Sequence, residues 1–228
     1  MLTDMRKFQV GASFFAIVLL AHSTQILGIA GEARTPGTPG TPGTLGTPGT
    51  LGTLGTLGTQ GTQTRPDAPQ LAPYVPTGYD VVERMLALAG VTKDDYVVDL
   101  GCGDGRIPIW AAKKYGARGL GVDIDPVRIA EANANAKKEG VTGLVEFRLE
   151  DLLKTDVTKA TVVTTFLLSA SNLRLRPILT RQLKPGARVV ANTFSMGDWN
   201  PAKTETFEDS TGRQRTIYLY VADGKVRQ

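Results

Sequence analysis

An α/β fold on a mostly parallel sheet is predicted by three observations on this 228-residue chain. From about residue 73 onward, short valine-rich runs alternate with segments whose apolar residues recur at helical spacing. Glycine or proline punctuates most of the junctions between them. The run Tyr96 to Leu100 passes into Gly101-Cys102-Gly103-Asp104-Gly105 and then directly into a helical pattern. That strand–loop–helix order is where open α/β sheets hold nucleotide-like cofactors.

The elements follow in order. Val81, Val82, Met85, Leu86 and Leu88 mark a first helix that Gly90 ends. Tyr96 to Leu100 is the first strand, Arg106 to Tyr115 a helix stopped by Gly116, and Gly119 to Ile124 the second strand. Asp125-Pro126 reads as an N-cap followed by proline at the first helical position, and that helix runs to Gly140. Val145 to Leu149 and Ala160 to Leu168 are the third and fourth strands. A helix over Leu173 to Leu183 must hold Pro177 in its first turn or kink there. Arg188 to Phe194 is the fifth strand, and Lys203 to Phe207 with Arg215 to Val221 closes the sheet as an antiparallel hairpin, seven strands in all.

The loop chemistry narrows the ligand. A dinucleotide loop reads G-x-G-x-x-G and aims N–H groups at a pyrophosphate. Counted from Gly101, the third glycine would fall at Arg106, and Asp99 stands just before the first. A carboxylate there repels phosphate and suits a cofactor with a cationic head. S-adenosylmethionine carries an ammonium, a sulfonium and no phosphate. Asp99 is therefore expected to face the ammonium, with Gly101, Cys102, Gly103 and Gly105 giving backbone access. Asp123, ending the second strand, suits two ribose hydroxyls. Glu150 or Asp151, after the third, suits the adenine amino group, with Ile124 packed on the ring.

Composition excludes other chemistries. The one cysteine, Cys102, rules out an intramolecular disulfide and a cysteine zinc cluster. The one histidine, His22, lies in the N-terminal segment, so a catalytic base in the domain is not histidine. No metal is expected. Net charge is only +4. Arg174, Arg176, Arg181, Lys184 and Arg188 form the densest basic group and read as a solvated helix face, so no nucleic-acid partner is expected.

The first third of the chain reads as an appendage. Arg6 and Lys7 precede an apolar run from Val10 to Ala21, shorter than the roughly 20 residues that span a bilayer. Residues 1–30 suit a signal peptide, with Gly28 and Ala30 at the −3 and −1 positions of a cut, or a membrane anchor over Phe8 to Ile29, or a buried helix. From Gly37 to Gln63 glycine recurs every third residue, formally the collagen period. With proline sparse and leucine often in the third place, a disordered linker over 31–72 is the stronger reading, and 73–228 is the catalytic domain.

The stretch from Tyr74 onward resembles the class I S-adenosylmethionine-dependent methyltransferases, and more narrowly the lysine methyltransferases that include the ATP synthase c-subunit enzyme and its bacterial and archaeal relatives. Pro73-Tyr74-Val75-Pro76-Thr77, Asp99 through Ile107, and Phe194 to Pro201 with Trp199-Asn200-Pro201 carry the resemblance. It implies a Rossmann-like seven-stranded methyltransferase fold, with Tyr74 to Thr77 over the cofactor and substrate channel. Phe166 to Asn172 departs from the Asn/Asp-Pro-Pro-Tyr motif of base and amide methyltransferases, which counts against those acceptors.

The expected activity is in-line methyl transfer to a protein lysine, which needs alignment and no dedicated base. Tyr74, Phe194 and Trp199 are candidate lips of the acceptor channel, with core packing as their alternative, and Thr77 belongs to the cofactor set. A small-molecule methyltransferase and a non-catalytic S-adenosylmethionine-binding module are the rival readings. A monomer is expected. Residues 1–30 imply export or membrane association, unless the start codon is misassigned and the enzyme is cytoplasmic.

Overall fold

The computed structural model describes residues 69–228. The signal or anchor segment, His22 and the glycine repeat lie outside the described residues.

The described residues form four helices and seven strands: α1 (Tyr79–Leu88), β1 (Tyr96–Leu100), α2 (Arg106–Tyr115), β2 (Arg118–Asp123), α3 (Pro126–Lys138), β3 (Val145–Leu149), β4 (Val162–Thr165), α4 (Ser169–Gln182), β5 (Arg188–Asn192), β6 (Lys203–Glu208) and β7 (Gln214–Val221). They form one sheet in the order β3-β2-β1-β4-β5-β7-β6. β1 to β5 pair in parallel, while β7 is antiparallel to both β5 and β6. The seven-stranded α/β expectation therefore holds, closing hairpin included.

The central strands are buried on both faces, which is why they read as unbroken valine runs. Val97, Val162 and Val190 pack under α1 and α2 with Met85, Leu86 and Ile107. Their neighbours Val98, Val163 and Val189 pack on the opposite face under Leu175 and Leu179 of α4. Edge strand β6 alternates exposed and half-buried residues, as a one-sided edge must.

Local signals set most boundaries. Asp125 caps α3 by accepting from the Val127 N–H at 2.9 Å, with Pro126 at the first helical position. Gly116 ends α2 in a left-handed conformation, φ 71°.

Four expectations need correction. α4 starts at Ser169, not Leu173, so Pro177 sits in its interior rather than its first turn. The Leu168 carbonyl accepts from both Ser171 and Asn172 and nucleates the helix early. The carbonyl that Pro177 leaves without a partner belongs to Leu173, an exposed residue. β4 and β5 are shorter than expected, because the chain leaves the sheet at Phe166 and Thr193 to line the site. The basic group of α4 and β5 is not a solvated face throughout: Arg176 is 9% exposed and paired with Asp198, and Arg188 pairs with Asp95. Finally, residues 69–72, read as the end of the linker, lie on the domain. Leu71 and Ala72 pack against its core, and the Leu71 carbonyl accepts from Ser171 Oγ at 2.5 Å.

Candidate functional site

The sheet order reverses between β1 and β4, and the crevice at the carboxyl ends of those strands is the general ligand position of such folds. Asp99 stands there opposite Thr164 of β4. The carboxylate is 3% exposed and accepts from Thr164 Oγ1 at 2.7 Å. Burial raises its pKa to about 7 against the opposing Thr164 hydrogen bond, and the charges of Asp123 and Asp104 add to the rise. Asp99 lines a cavity together with Gly101, Asp123, Ile124, Asp151 and Thr77.

Four N–H groups of the loop that follows are committed within the protein. Gly101 and Cys102 both donate to the Val122 carbonyl at 2.9 Å, and Gly105 donates to the Cys102 carbonyl at 3.0 Å. Gly103 donates to Asp123 Oδ2 at 3.0 Å, while Asp123 Oδ1 accepts from the Asp125 N–H at 3.0 Å. A dinucleotide loop keeps such donors for its ligand. Here they go to the Val122 and Cys102 carbonyls and, from Gly103, to Asp123, so the cavity presents acids rather than an anion cradle. Its two lining guanidiniums are engaged elsewhere. Arg106 holds Asp104 at 2.6 Å and the Thr77 carbonyl at 2.6 Å, and Arg128 pairs with Glu131 at 2.6 Å. Burial pulls Asp104 upward, but its hydrogen bonds from Arg106 and the guanidinium charge outweigh that and hold it below the usual carboxylate value.

Glycine is required in this loop for two different reasons. At Gly103 (φ 53°) an added Cβ would lie 2.5 Å from the Tyr74 ring, which closes over the loop. At Gly105 (φ 78°) it would lie 2.6 Å from Phe147 and 2.8 Å from Ala132. Gly105 does not line the cavity. The expectation that it gives cofactor access is corrected: it lets α2 pack on α3 and β3, the role a dinucleotide loop gives its third glycine. Cys102 is buried, and desolvation reinforced by Asp99 and Asp123 pushes its thiol well above the ordinary range, so it is an inert packing residue.

A strap over residues 69–77 crosses the cavity mouth and contributes Leu71, Tyr74 and Thr77 to its lining. It is pinned by Ser171 of α4, by Arg106 of α2, and by Arg128 of α3, whose guanidinium lies 4.3 Å from the centre of the Tyr74 ring.

Beyond the strap a second hollow, of about 240 Å³, is lined by Ala72, Pro73, Val75, Phe166, Leu167, Leu168, Thr193, Phe194 and Arg215. It shares Ala72, Pro73, Val75, Phe166 and Leu167 with the first cavity. Its one titratable lining residue, Arg215, is committed to Asp209 at 2.7 Å.

The structure thus brings together Asp99, Gly101, Cys102, Gly103, Asp123, Ile124, Asp151, Thr77 and Tyr74, and puts Phe194 in the adjoining hollow. Glu150 does not line the cavity; Asp151 does, so of the two acids only the second is placed to act. Trp199 is corrected from channel lip to core. It is 2% exposed, 5.0 Å from Tyr220 ring to ring, and lies under the Arg227 guanidinium. Thr164, Asp104, Arg106 and Arg128 were not anticipated. Thr164 reads as a strand former, and the three charged residues read as ordinary surface. Among the described residues no group of acidic, cysteine or histidine side chains could hold a metal ion.

Residues 99–203 match the family described as the ANTKMT methyltransferase domain. The chain is 49% identical over 150 residues to a protein-lysine N-methyltransferase of Saccharolobus islandicus, covering 65% of this chain and 92% of that one. It is 33% identical over 129 residues to the human ATP synthase c-subunit lysine N-methyltransferase, spanning 57% of this chain and about half (54%) of the human protein. Among solved structures, an RNA methyltransferase from Salinibacter ruber in complex with S-adenosyl-L-homocysteine shares 48% identity at a TM-score of 0.63, covering 68% of this chain and 97% of that one.

Proposed function

Because the chain belongs to the family of S-adenosylmethionine-dependent methyltransferases that holds these protein-lysine N-methyltransferases, we propose that its acceptor is the ε-amine of a protein lysine. The observation that carries this reading is the apolar hollow beside an acid-lined cavity, the two sharing one wall.

The first cavity fits the donor. Asp99 is a buried carboxylate with one hydrogen-bonding neighbour, so a cation is the partner its site lacks. Asp99 would hold the ammonium of S-adenosylmethionine, Asp123 the ribose hydroxyls, and Asp151 the adenine amino group beside Ile124. When bound, S-adenosylmethionine supplies a methyl group on a cationic sulfur, already activated for displacement by an amine.

The rest is alignment and desolvation. Phe166, Leu167, Leu168 and Val75 exclude water from the path of a long unbranched side chain. An apolar wall disfavours the ammonium form of lysine, so the amine loses its proton to solvent on entry and presents its lone pair. No lining group of the hollow acts as a base, and the reaction needs none.

The test is transfer from labelled S-adenosylmethionine into lysate separated into protein, RNA and low-mass fractions. Label in protein, mapped to lysine by mass spectrometry and lost in Asp99→Ala, supports the reading. Label in RNA, the acceptor named for the Salinibacter relative, or only in low-mass material overturns it. We extend the proposal to membrane association or export through residues 1–30. A mature N-terminus at Met1 in the soluble fraction would count against it.

A further inference from the structure

We propose that the turn Asn192-Thr193-Phe194 positions the methyl acceptor, and that Asn172 and Arg176 of α4 hold it in its strained shape for that purpose. The inference rests on the placement of the acceptor in the second hollow, and goes beyond it by naming the element that aligns it.

Thr193 is the one non-glycine residue with a positive φ among the described residues, at 66°. It forms the centre of a γ-turn: the Phe194 N–H donates to the Asn192 carbonyl at 2.7 Å. A β-branched residue is among the worst suited to this region. Such strain persists only where the surroundings over-determine it, and it clusters at ligand sites. Thr193 and Phe194 both line the hollow.

The surroundings do over-determine it. The Thr193 N–H donates to the Thr216 carbonyl of β7 at 2.7 Å, and Thr193 Oγ1 donates to Asn192 Oδ1 at 3.0 Å. Asn172 Nδ2 donates to the Phe194 carbonyl at 2.8 Å and lies 3.4 Å from that of Ser195. One helical turn further on, Arg176 Nη1 donates to the Met196 carbonyl at 3.0 Å and pairs with Asp198. The Met196 N–H donates to the Tyr220 hydroxyl at 3.0 Å. Thus α4 and β7 grip four consecutive residues after β5. Asn172 is fully buried, and its Oδ1 has no partner among the described residues. A buried amide half left unsatisfied is a cost that core packing alone does not require. The other half holds the residue that walls the hollow.

The feature separates two roles that a packing residue would confound. Thr193→Gly removes the backbone strain while leaving the core intact, so its melting temperature should equal or exceed wild type. With no Cβ and no Thr193 Oγ1 bond to Asn192, the turn can sample other conformations, and Phe194 should wander by about an ångström, enough to lower kcat/KM for the acceptor roughly tenfold or more. Phe194→Ala should raise the acceptor KM with little change in melting temperature, and Phe194→Leu should recover part of the loss. None of the three should alter affinity for S-adenosylhomocysteine more than about twofold, because neither residue lines the donor cavity.

The experiment measures kcat and KM on the fraction the wild type labels, with calorimetric S-adenosylhomocysteine affinity and melting temperature for each variant. Lower kcat/KM with preserved stability and preserved S-adenosylhomocysteine affinity supports the proposal. Wild-type kinetics in Thr193→Gly and Phe194→Ala overturn it while leaving the lysine reading intact. A wild type that labels no fraction overturns both, beginning with the acceptor assignment.

Discussion

Asp99 stands in the last turn of the pleat at the carboxyl end of β1 and Phe194 just beyond that of β5, with only β4 between those strands, yet the chain builds their surroundings by opposite means. Around Asp99 the cost is electrostatic: a carboxylate is buried with a threonine for company and two further acids nearby. Around Phe194 the cost is conformational: a strained turn held by hydrogen bonds from a helix and a strand. On the proposed reading, the donor is a fixed small molecule with a cation to be recognised, so charge is stored in wait for it, whereas the acceptor must only be aimed, so geometry is stored instead.

Removing the stored charge should have the largest effect. Asp99→Asn keeps shape and the contact with Thr164 but deletes the partner for a cation. S-adenosylmethionine affinity should fall about 100-fold by calorimetry, while the ligand-free protein melts no lower than wild type. Unchanged affinity would dissolve the contrast between the two regions.

The pH dependence sharpens it. Asp99 titrates at about 7 in the ligand-free fold, so it is largely neutral below that value. Binding a cation favours the ionised form. Affinity should therefore rise with pH and level off above about 7, and be about tenfold weaker at pH 6 than on the plateau. Calorimetry in buffers of different ionisation enthalpy should record a proton released on binding below pH 7. The stability sign is the reverse. The folded pKa lies above the reference value of 3.8, so the ligand-free fold binds the proton more tightly than the unfolded chain does. That contribution is full below about 4 and is lost as pH rises through 7. Asp99→Asn should flatten the corresponding slope in melting temperature.

Arg106→Ala should have a smaller effect, confined to the donor side. It frees the Thr77 carbonyl and the Asp104 carboxylate together, loosening the strap. Affinity for S-adenosylmethionine should weaken about tenfold, with faster hydrogen exchange across residues 73–77. The smallest effect on activity is expected from Trp199→Phe. This should lower stability by about 1–2 kcal/mol, a fall of roughly 2–8 °C in melting temperature, and leave kcat/KM within about twofold. A large kinetic defect there would extend the acceptor region into the core.

The same contrast explains what the sequence disclosed. The acid-lined cavity was legible because its residues are nearly contiguous: Asp99 to Gly103 run from the end of β1 into the loop after it, and Asp123 and Asp151 lie at the ends of neighbouring strands. The second hollow draws on residues 72, 73, 75, 166–168, 193, 194 and 215, mostly apolar side chains that no local pattern separates from core. That is why Phe194 and Trp199 looked alike from sequence, although one lines a hollow and the other is buried against Tyr220. The helix carrying Asn172 and Arg176 misled for a related reason. Its basic residues suggested a solvated face, but Arg176 turns inward to a loop carbonyl, as does Asn172, a destination that periodicity does not encode. The succession of strands along the chain and the closing hairpin were legible because each rests on a local signal. The start of α4 was not, because Pro177 argued for a later one and tertiary packing overrode it.

The strap over residues 69–77 ties the two compartments together. Ala72, Pro73 and Val75 wall both compartments. If the spent cofactor leaves by lifting the strap, the acceptor loses three of its walls in the same movement. Exchange of cofactor and retention of a half-modified lysine then compete. Repeated methylation should be distributive: monomethyl product should accumulate in bulk before any higher state, a progression that mass spectra taken along the reaction would display, and a strap cross-linked to α4 should stall after a single transfer.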